Sequence, residues 1–224
     1  MFGVKRRDAT EYEFYFMHPA KCAGSFIEFY IMDEYKDYHN RIPNDVLDYK
    51  QTEHYTYSTQ HFHLYNAELF CPDLLTTDTP LYTIVRNPYD RFASQLKFLM
   101  MYMLKKPSGD FDFGVHETQK WLSGVIMNEM SPIGNIFQAQ NAYTHYHGEE
   151  KTRWFRLEDI KDYTLTIESL QFDMTRRDIN NWSHDDVAKE VGFTSDLNIE
   201  LNDGMKEIVR QAYEKDFEYY GYEI

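Results

Sequence analysis

A chain of 224 residues with 42% apolar residues is long enough for one large domain with a substantial core. Its formal net charge of −14 excludes a generic nucleic-acid surface, which needs clustered Lys and Arg to release counterions. Any anionic ligand must therefore be held by a local positive site against an unfavourable overall field.

In chain order, residues 12–17 (YEFYFM) are predicted as a short strand. Residues 24–35 (GSFIEFYIMDEY) are predicted as a helix, with Phe26, Ile27, Tyr30 and Ile31 at helical spacing. Residues 36–60, polar and rich in Tyr and His, read as an excursion. The compact apolar run 81–85 (LYTIV) is predicted as a buried strand, broken by "RNPYDR". A helix follows to Lys106, then the loop "KPSGDFDFG", a helix over 116–130 and a strand over 152–157 (TRWFRL). Residues 203–219 are predicted as one amphipathic helix whose apolar face is Met205, Ile208, Val209, Ala212 and Tyr213. Strands alternating with helices predict an α/β domain with a mainly parallel sheet. The two cysteines, Cys22 and Cys71, read as thiols of a reducing compartment. The N-terminal "MFGVKRRDATEYEF" lacks the apolar run of a signal peptide, and no run of about 18 apolar residues occurs. A cytoplasmic protein without a membrane span is expected.

Two stretches carry chemistry. In "HPAKCAGSF" (18–26) a small-residue loop joins a strand to a helix start, where outward N–H groups and the macrodipole favour an anion. Gly24 permits close backbone approach, Lys21 adds a point charge and Ser25 a hydroxyl. The bland reading is a strand-to-helix turn with a solvated lysine. This is not a Walker A loop, because the lysine precedes the only glycine. In "LYTIVRNPYDRFASQLKF" (81–98), Arg86 falls at the end of the buried strand and Ser94 eight residues on in the next helix. A guanidinium at a strand's C-terminal end faces the crevice where α/β proteins bind ligands, and with a helix-borne hydroxyl it can grip one phosphate. The bland reading is a surface Arg paired with Asp90.

Together these segments resemble sulfotransferases that use 3′-phosphoadenosine 5′-phosphosulfate (PAPS), in particular the family of the Golgi heparan 2-O and chondroitin 4-O enzymes. "HPAKCAGSF" resembles that family's 5′-phosphosulfate loop, H-x-P-K-x-x-G-[ST]-[ST]. "IVRNPYDRFAS" resembles its 3′-phosphate motif, R-[ND]-P-x-x-R-x-x-S. Weaker echoes are "FQAQNAY", "WFRLEDI", "INNWS" and "AYEKDFEYYGY", so the resemblance covers about residues 12–222. Ala20 departs from the family's proline and Phe26 from its second hydroxyl residue. The resemblance implies a P-loop-like three-layer fold and one sulfotransferase domain over 1–224, with 36–60 and 105–150 on the acceptor side. It implies PAPS as co-substrate, with no metal, and a glycan or small hydroxylated acceptor. The backbone of Cys22, Ala23, Gly24, Ser25 and Phe26 is then expected to hold the 5′-phosphate, and Arg86 and Ser94 the 3′-phosphate. Asn181, Trp182 and Ser183 would line the nucleotide.

Sulfuryl transfer builds charge on the bridging oxygen, so a cation there stabilises the transition state; Lys21 is the candidate. The acceptor needs a base, and histidine suits it. "STQHFHLYNAELF" (58–70) offers His61 and His63, which share a face if the segment is extended. His61 has the family's spacing to the arginine motif, and His63 completes a His-x-His like that of the heparan enzymes. An acidic limb near about pH 6–7 is expected for either, with Glu158 next in line as base. Two other readings stay open: a P-loop-like kinase of a small metabolite, and a non-catalytic nucleotide-binding module.

Overall fold

A computed structural model describes residues 1–6, 9–34, 38–39, 61–99, 115, 118–119, 122, 136–175 and 199–224. The elements in chain order are β1 (Phe2–Arg6), β2 (Phe14–Phe16), α1 (Gly24–Glu34), β3 (Tyr38–His39), α2 (Leu64–Phe70), β4 (Leu81–Val85) and α3 (Pro88–Phe98). Then come α4 (Asn141–Thr144), the short hairpin β5 (His145–Tyr146) and β6 (Glu149–Glu150), β7 (Arg153–Arg156), the hairpin β8 (Thr164–Ile167) and β9 (Leu170–Asp173), α5 (Asp203–Ala212) and α6 (Glu214–Tyr220).

The expected α/β architecture is present. The central sheet has the order β3-β1-β2-β4-β7. β2, β4 and β7 run parallel, whereas β1 is antiparallel to both β2 and β3. β4 sits inside the sheet and is buried along its whole length, which is why it reads as a continuous apolar run. Alternation sends its side chains into different cores. Tyr82 and Ile84 join Ile27 and Ile31 of α1 and the apolar side of the β8–β9 hairpin. Val85 packs with Phe92 and Leu96 of α3, Val209 of α5 and Phe217 of α6. Thr83, the one polar residue of the strand, is satisfied internally: its hydroxyl donates to the Met17 carbonyl at 2.8 Å and ties β4 to the end of β2.

The strands expected over 12–17, 81–85 and 152–157 and the helix expected over 24–35 are found with near-matching limits. The single C-terminal helix is in fact two, broken at Tyr213 (φ −118°, ψ 29°). The break lets Asp216, Phe217 and Tyr220 of α6 turn inward together. β1 and the β8–β9 hairpin have no counterpart in the sequence reading. Of the 36–60 excursion only 38–39 is described, and it pairs with β1. Most of the 116–130 helix and the stretch 100–114 lie outside the described residues.

α1 starts at Gly24 for a steric reason. A Cβ there would meet the His18 ring, 2.5 Å from Nε2 and closer still to Cδ2. Gly24 does not have a positive φ, so the requirement is space and not conformation. His18 is buried and cannot swing away without disturbing its neighbours. Gly24→Ala is therefore expected to destabilise the fold by about 1–3 kcal/mol, the cost of overpacking a filled site. Urea unfolding checks this; unchanged stability would show that the His18 ring yields freely.

Candidate active site

β2 and β4 are parallel neighbours, so their C-terminal ends lie side by side. The 17–23 loop leaves one end and enters α1. Arg86 and Asn87 leave the other and enter α3, where the Asn87 side chain accepts from the Tyr89 N–H at 2.9 Å and Pro88 occupies the first turn. The two motifs thus meet at one end of the sheet, outside the strand ends where open α/β sheets take ligands.

The first loop is strained. Lys21 (φ 67°) and Ala23 (φ 61°) both occupy the left-handed region, each at a cost of about 1–3 kcal/mol. A left-handed residue beside a right-handed one can turn successive N–H groups to one side and form an anion-binding concavity. Cys22, Ala23, Gly24, Ser25 and Phe26 lead from this loop into the first turn of α1, whose N–H groups lack intrahelical acceptors; the Cys22 N–H donates to the Pro19 carbonyl at 3.4 Å. Phe26 packs its ring at a tilt against Tyr30, centroids 5.8 Å apart, beside the β8–β9 core, so a side chain that cannot bind phosphate is used for packing.

Buried polar groups hold the loop in place. Arg91, the second arginine of "RNPYDR", is fully buried and donates from Nε to the Ala20 carbonyl at 3.0 Å. Its Nη2 donates to the carbonyls of Ile136 (3.3 Å) and Gln138 (2.8 Å). The Cys22 thiol donates to Gln140 Oε1 at 3.2 Å, and burial pushes its pKa up to about 11, so it is a structural thiol.

Gln140 is the joint between the loops. Its Oε1 also accepts from the Arg86 N–H at 2.7 Å, while its Nε2 donates to the Arg86 carbonyl at 2.8 Å. The backbone N–H groups of Gln140 and Asn141 donate to the Asp216 carboxylate at 2.7 and 2.8 Å. Burial raises the Asp216 pKa; the Arg91 charge and these N–H groups oppose it. Glu158 braces the same end: it accepts from the Asn87 N–H at 2.7 Å and from the Tyr222 hydroxyl at 2.8 Å. Both oxygens of the reserve base candidate are thus engaged in bracing the loop.

The cations come together. Lys21 lies with its ammonium 4.9 Å from the centre of the Phe98 ring. Burial, reinforced by the charges of Arg86 and Lys97, pulls its pKa down to about 8. Arg86 and Ser94 line one cleft of about 510 Å³, shared with Lys97 of α3 and Lys206 of α5.

The two histidines diverge. His61 precedes α2, and its Nδ1 lies 2.9 Å from the His18 carbonyl. A carbonyl only accepts, so Nδ1 carries the proton and the neutral ring keeps its lone pair on Nε2. The ring packs edge-on against His18 at 4.8 Å, and burial pushes its pKa down to about 4. His63 is the N-cap residue of α2; its buried ring packs edge-on against Tyr143 at 6.0 Å. Neither of its ring nitrogens has a partner among the described residues. Of the 58–70 segment residues 61–70 are described; His63 itself is extended (φ −96°, ψ 175°) and the chain becomes helical at Leu64, after both histidines. His61 sits by the Lys21 loop and His63 does not. Asn181, Trp182 and Ser183 lie outside the described residues.

Comparison with known proteins finds no matching family model, no matching curated protein and no matching solved structure. Among the described residues, no three His, Cys, Asp or Glu side chains are grouped to hold a metal, and no helix is long and apolar enough to cross a membrane.

The sequence reading passed over Gln140, Asp216, Lys97 and Lys206 as site residues. Lys97 had a signal, standing three residues from Ser94 on the same helical face. Gln140 and Asp216 had only weak motif echoes. Gln140→Glu would put an oxygen where Nε2 now donates, against the Arg86 carbonyl and Asp216. We expect a loss of about 3 kcal/mol or more, because the new charge is buried and unpartnered. Gln140→Met, which removes the amide without adding charge, should cost less. Equal stability of the glutamate variant and the wild type in urea unfolding would contradict the joint.

Proposed function

We propose that the protein is a sulfotransferase. It takes a sulfuryl group from PAPS and delivers it to a hydroxyl of a glycan or small hydroxylated acceptor. The observation that carries this reading is the joining of the strained Lys21 loop and Arg86 through Gln140 at adjacent ends of parallel strands. Such an arrangement suits a ligand with two separated anionic groups. The parallel strands with separate cores on the two faces of β4 support a P-loop-like three-layer reading of the fold.

In this reading the N–H groups of Cys22 to Phe26 hold the 5′-phosphate, and Arg86 with Ser94 holds the 3′-phosphate and sets the donor's register. By family resemblance Asn181, Trp182 and Ser183 complete the nucleotide site. Lys21 stabilises the charge that gathers on the bridging oxygen as its bond to sulfur breaks. The acceptor oxygen forms the new bond to sulfur. Its proton goes to His61 Nε2, and adenosine 3′,5′-bisphosphate leaves.

The class is tested by thermal shift. Adenosine 3′,5′-bisphosphate should raise Tm, and ATP with Mg²⁺ should not. The reverse pattern would favour a kinase, and stabilisation by the bisphosphate without any turnover would favour a binding module.

The pH profile tests the roles. His61 is neutral above its depressed pKa of about 4, so the acidic limb of kcat/KM should lie well below the pH 6–7 of an ordinary histidine. Lys21 loses its charge above about 8, so activity should fall as pH rises through that value. His61→Ala should lower turnover by about 10²-fold or more and abolish the acidic limb, while His63→Ala keeps it. An acidic limb that survives in His61→Ala would remove His61 as the base.

A further inference from the structure

The cleft beside Arg86 and Ser94 carries more positive charge than one guanidinium. Lys97, half-buried on α3, and Lys206, exposed on α5, both line it. Among the described residues that line the cleft, Arg86, Lys97 and Lys206 stand with the carboxylates Asp90 and Glu200, three cations to two anions in a chain whose net charge is −14. α3 and α5 pack against each other through Phe92, Leu96, Met205 and Val209, so the two lysines come from separate elements held at a fixed relation. Lys97 is also close enough to Lys21 for its charge to be felt there.

A phosphate monoester near neutral pH carries close to two charges on three terminal oxygens. A guanidinium engages two oxygens in its plane and contributes one charge. One oxygen and about one charge remain, and a lysine, a compact cation on a flexible stem, suits both. The volume of about 510 Å³ lies within the usual range of small-molecule sites, so a ribose phosphate fits beside these cations. A nucleotide with a bare 3′-hydroxyl would gain almost nothing from them.

We propose that Lys97 and Lys206 are specificity-determining residues for the donor: with Arg86 they read the 3′-phosphate, so that the cleft selects nucleoside 3′,5′-bisphosphates over 5′-monophosphates. The inference rests on the PAPS reading and adds to it that α5, which the sequence presents only as an amphipathic packing helix, forms part of the donor site.

The test is calorimetric titration of the full chain with adenosine 3′,5′-bisphosphate and with 5′-AMP. The proteins are wild type, Lys97→Met, Lys206→Met and Lys206→Arg; methionine keeps the apolar stem and removes the charge. Each methionine variant should bind the bisphosphate about five- to tenfold more weakly, as expected for a charged contact open to solvent. The 5′-AMP affinity should be unchanged in Lys206→Met and fall less than about twofold in Lys97→Met, whose charge reaches Lys21, and Lys206→Arg should stay within about twofold of wild type. Bisphosphate affinity that is unchanged in both methionine variants overturns the inference and leaves the donor reading standing. Equal weakening of both nucleotides overturns the selectivity, since only a general field would then be at work. A wild type that does not bind the bisphosphate overturns the donor reading and this inference with it.

Discussion

The amide of Gln140 is the constraint on which the site depends. One side chain accepts from the Arg86 N–H and the Cys22 thiol and donates to the Arg86 carbonyl. It thereby fixes the exit of β4 relative to the loop that leaves β2. Its own backbone is held by Asp216 at the far end of the chain. These groups are buried, so each bond is worth little net but is expensive to leave unmade. Arg91 works in the same way through three carbonyls, one of them in the Lys21 loop. Two segments about 65 residues apart therefore behave as one rigid unit.

Rigidity has a purpose in an acidic protein. Lys21 and Arg86 repel each other, and burial already disfavours the Lys21 ammonium. Two residues of its loop are held in the left-handed region. Such strain persists only where the surroundings over-determine it, and it is commonest where a ligand is later to be gripped. A doubly anionic ligand would relieve the repulsion and restore the lysine's charge. In the proposed reaction the same preorganisation would let the lysine act on charge that develops during transfer without reorganising first. His61 completes the arrangement: the His18 carbonyl sets its tautomer, and the His18 ring fills the space that Gly24 leaves.

The parts of this account that were legible in the sequence are local ones. LYTIV is buried along its whole length and shows as an apolar run; Asn-Pro caps and starts α3; the lysine–glycine loop announces a strand-to-helix turn. β1 was hidden because its basic residues and its glycine dilute the apolar alternation of Phe2 and Val4. The break at Tyr213 was hidden because an apolar face continues across it in register. The joint at Gln140 was hidden for a deeper reason. It pairs residues far apart in the chain, and a glutamine in a polar stretch has no periodic signature. The histidine pair could not be ranked by spacing alone, because what separates the two is their partners: the His18 carbonyl for His61 and the Tyr143 ring for His63.

The central claim is that this site transfers a sulfuryl group, and radiolabelled PAPS tests it most directly. The full chain is incubated with the labelled donor and a panel of neutral glycans and small alcohols, and both labelled product and released adenosine 3′,5′-bisphosphate are measured. We expect label to move to at least one acceptor with matching bisphosphate release, and both to be lost in Lys21→Ala while bisphosphate binding survives. Bisphosphate release no faster than in buffer, with every acceptor and with wild-type protein, would contradict the account.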